Sequence, residues 1–486
     1  MKKFLRGGAI ILMTLAISIP AQAQTVEERL TALETSMANV ELLSTQLFQL
    51  FSALQPDITA ILNALATQQL EVATLQASMT AVQSDVSALQ TGQTELQASQ
   101  GTQDTDISEL QTRLNGVSRT GNTLLLTNMN LQVVSGSGST DGGVNGRGNI
   151  IIGYNEAIFP YLGADLPTSN KTGSHNLIVG KGSNYSSYGA IVSGLDNISS
   201  NPYGSLIGGN RNTANGDFVA VSGGLRNNAQ NTYASVSGGQ NNTASGIASS
   251  VSGGDSNIAS SLASSVSGGL NNRARIQANA SVSGGSGNIA SGLNSSISGG
   301  LNNSASGSQS SLSGGNQNTA SGFNSSVSGG SFNSATSTHS SVSGGNQNTA
   351  SGFHSSVSGG DSNIASSFAS SVSGGNNNRA MTQSFASVSG GRSNIASGIA
   401  SSISGGESNT STSSASSVSG GRDNTASGPQ SSVSGGNTNT ASGLTSSVSG
   451  GGLNSATNIQ STVSGGVSRS ATGVNDWRAG SLFETQ

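Results

Sequence analysis

The chain of 486 residues contains no cysteine, a single tryptophan, three histidines and only 8% charged residues. Without cysteine there are no disulfides, no thiolate zinc sites and no thiol nucleophiles. A typical soluble domain carries roughly 25% charged residues; here 18 basic and 22 acidic residues leave a net charge of −4. No basic face offers itself to nucleic acid or to an anionic membrane surface. Aromatics make up 4% of the chain while glycine reaches 69 residues, so a core of large side chains is excluded over most of its length. Stability must come from assembly and from backbone pairing.

The first 23 residues have the pattern of an export signal. Lys2, Lys3 and Arg6 form a charged start, Ala9 to Ile19 a short apolar run, and Ala21-Gln22-Ala23 a cleavage site that makes Gln24 the expected mature start. The run is too short to span a bilayer comfortably, and no later segment is apolar enough to cross as a helix. The expected product has no transmembrane anchor after signal cleavage. It is expected to be secreted, or held at the cell surface, by a bacterium of Gram-negative type.

Residues 24–115 read as a coiled-coil stalk. Steps of four and three from Val26 pass through Leu30, Leu33, Met37 and Val40, and continue to Ile107, Leu110 and Leu114. Of these 26 seam positions 21 are apolar, a sustained 3.5-residue period that signals a left-handed supercoil. At a 1.5 Å rise the rod would be roughly 130 Å long. Pro56 lies on the outer face of the seam, as a kink or a restart. Valine and isoleucine at both seam positions, with Gln68, Gln93, Gln100 and Gln103 in the seam, favour a homotrimer; a parallel dimer is the alternative.

Residues 116–176 form a transition with a first rung at Asn149 to Gly153 and an insertion holding Tyr154, Phe159, Pro160, Tyr161 and Pro167. Those aromatics suit a neck or a ligand-touching loop. From 177 to 466 the unit V-S-G-G-x-x-N-x-A-S-G-x-x-S-S recurs, mostly every 15 residues. Its anchoring apolar residue falls at Leu177, Ile191, Leu206, Val221, Val236 and onward to Val463, with asparagine six residues later from Asn197 to Asn454. Two units, those with Asn272-Arg273-Ala274 and Asn378-Arg379-Ala380, gain one residue. A fixed short period means a solenoid, because one coil buries too little to stand alone. The expected fold is a fibrous parallel β-solenoid following the α-helical coiled coil. The anchor valine and the alanine eight residues after it face a narrow interior. The asparagine serves a left-handed turn or a ladder of stacked amides. Trp477 and Phe483, in the terminal segment 467–486, are expected to cap the open end.

The units resemble the head repeats of trimeric autotransporter adhesins, with the pattern S-V-A-I-G-x-x-S-x-A. Ser235-Val236-Ser237-Gly238-Gly239 and Asn242-Thr243-Ala244 align with it, and Ser205-Leu206-Ile207-Gly208-Gly209 comes closer. The resemblance covers roughly residues 145–470 and implies a trimeric left-handed parallel β-roll used for attachment outside the cell. Two departures stand out. Glycine, as at Gly238, replaces the second inward apolar residue, and the stalk precedes the head, with no barrel anchor at the end.

Catalysis needs a positioned base, nucleophile or metal. No catalytic, cofactor-binding or metal site is assigned. His339 and His354 occupy the same slot of adjacent rungs, and acidic residues are too sparse for a calcium-binding repeat. The positions four, five, eleven and twelve after the anchor vary freely and should face solvent. The eleventh is often apolar, at Ile247, Leu262, Leu293, Phe323, Phe353, Phe368 and Leu444. This file is the candidate binding stripe, unless it packs between chains of a trimer. The expected function is adhesin-like, toward host, matrix or surface-polysaccharide ligands. The alternatives are an inert structural fibre, or an ice- or crystal-binding solenoid using Thr243, Thr319, Thr349, Thr425 and Thr440.

Overall fold

A computed structural model describes residues 26–79, 86–159 and 168–479. The export signal, Pro160, Tyr161, Pro167 and Phe483 lie outside the described residues. The chain divides into two compact units, Met1–Ser183 and Asn184–Gln486.

The first unit contains two helices, α1 (Val26–Met79) and α2 (Val86–Arg113). α1 runs through Pro56 without ending. The continuous rod expected over 26–114 is not what the single chain adopts. Leu47, Phe48 and Phe51 of α1 border the same apolar pocket as Leu110 and Leu114 at the end of α2. The middle of α1 therefore lies beside the end of α2. A lone chain leaves its heptad seam uncovered, and folding back hides part of it. The rest stays exposed, including Val26, Met37, Ile58 and Ile61. No described helix is long and apolar enough to cross a membrane.

A hairpin follows, β1 (Val117–Thr120) against β2 (Thr123–Leu126), with the Arg119 guanidinium over the Phe48 ring. β3 (Ile150–Ile152) pairs in parallel with β4 (Leu177–Lys181). The insertion between them is tied by Lys171, whose ammonium donates to the backbone carbonyls of Asn155 and Glu156. Burial pushes this lysine below its usual range, opposed by the charge of Glu156. Tyr154 and Phe159 of the insertion are exposed.

The second unit is a parallel β-solenoid of about 20 turns. One coil, Ser235 to Ser249, shows why the sequence winds this way. Ser235–Val236 and Thr243–Ala244 are its two short strands, each pairing in register with the coils before and after. Alternation along each strand sends Val236 and Ala244 inward and their neighbours outward. One valine and one alanine per coil bury little area, so the remaining interior is polar, with the asparagine hydrogen-bonded in each regular coil and the serine hydroxyl in many but not all. Asn242 and Ser249 are fully buried.

The asparagine is the ladder, not the left-handed residue. Asn242 Nδ2 donates to the carbonyls of Gly238 in its own coil and Gly254 in the next, both at 2.9 Å. Its Oδ1 accepts the Asn257 backbone N–H at 3.0 Å. The same set recurs through Asn454. The left-handed residues are the one before it, Asn241 (φ 54°), with Gly239 (φ 83°) and Ala248 (φ 54°). Their purpose is visible in the bond directions. Strand amides donate forward, as Ser237 N–H to Val251. Asn241 and Ala248 donate backward, to Leu225 and Thr232. Corners of opposite hand thus bond each coil to both neighbours.

Two early anchors shift by one residue. Ile191 is 39% exposed whereas Val192 is fully buried, and Ile178 rather than Leu177 faces inward. Val192 to Leu206 is a short coil, and the register slip lies between Ser193 and Leu195. A run of two apolar residues hides which one the pleat turns inward. The two long coils take up their extra residue at the third corner. There Gln277 N–H bonds to Arg275 at 3.0 Å and Gln383 N–H to Met381 at 2.9 Å. These are γ-turns centred on Ile276 (φ 75°) and Thr382 (φ 74°).

The last coil departs from the pattern. Arg469 stands where the asparagine would be and Arg478 pairs with Val463. Trp477 therefore falls on the outward pleat, 60% exposed, its Nε1 donating to Ser464 Oγ. It lies along the side of the coil and does not cover the end.

Candidate ligand-facing corner of the solenoid

The two residues that precede the buried serine of a coil (valine at Val219, alanine at Ala234, Ala280 and Ala386) form the third corner. The backbone needs a left-handed conformation at the second of them, and neither side chain can turn inward. Ile247, Leu262, Leu293, Phe323, Phe353, Phe368 and Leu444 all stand there, between 40% and 54% exposed. The expected stripe is therefore on one corner, but it is not uniform.

Its densest part runs from Phe323 to Phe385. His339 and His354 are stacked, their rings 4.6 Å apart and nearly parallel. Phe353 stands edge-on to His354 at 4.4 Å and stacks on Phe368 at 5.5 Å. Phe323 packs against His339 and Phe385 against Phe368, both edge-on. Parallel imidazoles aim their nitrogens side by side and not at a common point. Among the described residues no three histidines, aspartates or glutamates gather as a metal site would require. The two histidines are part of an aromatic surface. His175 has a structural place: its Nε2 accepts the Ser135 N–H at 2.9 Å and its Nδ1 donates to the Thr140 carbonyl at 3.1 Å.

A second aromatic run on this corner was missed by sequence reasoning. Tyr203 stacks on Phe218 at 4.9 Å and Phe218 on Tyr233 at 5.5 Å, with Tyr188 edge-on at the start. Tyr203, Phe218 and Tyr233 occupy the twelfth slot, not the eleventh, and adopt φ of 55° to 60°. Left-handed backbone is costly for aromatic residues. The signal was present as aromatics at 15-residue spacing from Tyr188 to Tyr233.

The threonine array is less regular. Its members lie on the outward face of the second strand, half-buried, and residues 258, 273, 289 and 304 interrupt it. Comparison with known protein families and with curated proteins finds no family that matches this chain and no relative.

Proposed function

We propose that this chain is a secreted, non-catalytic surface fibre of adhesin type, whose solenoid presents a repetitive binding corner. The observation that carries this reading is the aromatic and aliphatic file along the third corner. The solenoid's interior is complete without it, yet large apolar side chains are kept in solvent over many coils. Exposed apolar patches of this extent mark interaction surfaces. In this reading the helices unfold from their hairpin arrangement and assemble as a homotrimeric coiled coil, which covers Val26, Met37, Ile58 and Ile61. The solenoid is then a left-handed β-roll, repeated threefold, and its weak contacts add through multivalency. Its partners are host, matrix or surface-polysaccharide ligands, and no cofactor takes part.

The test is an immobilised panel of glycans and matrix proteins probed with the wild-type chain and with the triple variant Phe323→Ser, Phe353→Ser, Phe368→Ser. Binding by the wild type that the variant loses, with unchanged circular dichroism, supports the reading. Equal signals from both, or no signal from either, favour the inert fibre. Sedimentation of the full chain reports whether three copies associate.

A further inference from the structure

The second strand of the coils carries an interruption that winding does not require. From Thr213 to Ser470 its outward residue is threonine, serine or asparagine except at two places. There the register runs Ile258, Arg273, Ile289 and, further on, Ile364, Arg379, Ile395. In-register parallel pairing lines these side chains on one face about 4.8 Å apart. Each arginine thus stands between two isoleucines. Each also belongs to one of the two long coils, so each triplet adjoins an enlarged corner, the γ-turn at Ile276 or Thr382.

The coincidence extends beyond the triplets. Residues 251–300 recur closely at 357–406, down to the isoleucine anchors Ile297 and Ile403. The two arginines are 106 residues apart, which is seven coils. Seven coils at about 4.8 Å place them roughly 34 Å apart along the solenoid axis.

Their charges are unspent. Among the described residues neither Arg273 nor Arg379 makes an ion pair or a side-chain hydrogen bond. Arg275, two residues beyond Arg273, has no ion pair among the described residues either and is matched by Met381 beside the second triplet, whereas Arg392 faces Glu407 at 3.5 Å and Arg422 faces Asp423 at 3.2 Å. Asp255 and Asp361, one coil earlier, are bonded to neutral groups, Ser256 and Asn241 in the first case and Asn346 and Asn376 in the second. A guanidinium is planar and weakly hydrated, and it pairs bidentately with carboxylate or sulfate. Isoleucines on either side keep water from surrounding such a pair.

We propose that the two triplets are the halves of one site for an acidic polysaccharide lying parallel to the solenoid axis. A single solvent-facing arginine holds a small anion only weakly. Two at a fixed spacing on a rigid rod hold a polymer that reaches both, because the second contact forms at high effective concentration. A small ligand cannot span that spacing, and the net charge of −4 works against unspecific adsorption of polyanions. This site lies on a strand face next to the third corner, and its two arginines use none of the aromatic side chains of that corner.

The experiment is binding of the full-length chain to immobilised heparin, to polygalacturonate and to neutral dextran at low salt. Wild-type protein is expected on at least one polyanion and not on dextran. Arg273→Ser and Arg379→Ser should each weaken binding about tenfold or more, and the double variant should fall to the dextran level. Arg273→Lys with Arg379→Lys should keep part of it, and Arg392→Ser should change it by less than about twofold. Circular dichroism checks that each variant remains wound. Absence of binding to both polyanions, an unaffected double variant, or an Arg392→Ser loss as large as that of Arg273→Ser would each overturn the proposal. The aromatic triple variant binds polyanion normally whether or not the corner reading survives.

Discussion

Replacing Asn318 by alanine tests the interior ladder at one rung. Its Nδ2 donates to the Gly314 and Gly330 carbonyls, and its Oδ1 accepts the Asn333 N–H, all at 2.9 Å. Alanine removes all three bonds. The Gly330 carbonyl keeps the Asn316 N–H, but the buried Asn333 amide has no substitute. Three bonds at about 1 kcal/mol each, with one orphaned amide at about 1–3 kcal/mol, give a cost of about 4–6 kcal/mol. In a repeat array such a loss stays near its coil, because each coil contacts only its neighbours. Hydrogen–deuterium exchange should therefore show protection in residues 303–342 falling by about three to four orders of magnitude. The distant coils anchored by Leu206 and by Val448 should keep theirs. Protection within about tenfold of wild type across residues 303–342 would refute the ladder argument.

Asn318→Asp sharpens the test. An aspartate still accepts the Asn333 N–H but cannot donate to the two carbonyls, and burial raises its pKa above the unfolded value. The variant's stability is then greatest below the unfolded pKa of about 4 and is lost as pH rises through the raised folded value. The wild-type rung has no titrating group, so it should show no such dependence.

Adjacent glycines should differ sharply. A Cβ at Gly315 (φ 88°) would lie 2.1 Å from the Gly330 carbonyl oxygen, whereas one at Gly314 meets nothing within 4 Å. Gly315→Ala should unwind its coil, and Gly314→Ala should leave the melting curve within about 0.5 kcal/mol of wild type. Ile276→Gly should stabilise its coil by about 1 kcal/mol in denaturant unfolding, by relieving a branched residue at φ 75°. Tyr203→Ala with Phe218→Ala breaks the ring contacts Tyr188–Tyr203, Tyr203–Phe218 and Phe218–Tyr233 and, at about 1 kcal/mol per pair, should lower local exchange protection by about a hundredfold.

Much of the solenoid was legible because each rung repeats the same solution. The valine and the alanine of the unit could be placed inside from their recurrence alone, whereas the asparagine was left between a left-handed turn and an amide ladder. The buried serine could not. Ser249 is small and polar and resembles a surface residue, yet its Oγ turns back to the Gly246 carbonyl at 2.7 Å and fills the last interior place. The aromatics Tyr203, Phe218 and Tyr233 lie one slot away from the apolar file at the eleventh position, so the periodicity of that file does not include them. The heptad of residues 26–114 describes what a seam seeks, a partner, and does not say whether that partner is another chain or the same one.

The sequence by itself determined the period and the inward columns, because repetition leaves each interior slot a single kind of occupant. Only the tertiary structure decided which residue of an apolar pair turns inward, as at Val192, and that the asparagine bridges coils while its predecessor makes the bend. It also showed that the slot holding Arg273 and Arg379, each between isoleucines of the neighbouring units, is the outward face of the second strand. Those outcomes depend on the register between coils distant in sequence, and register is a property of the stacked backbone.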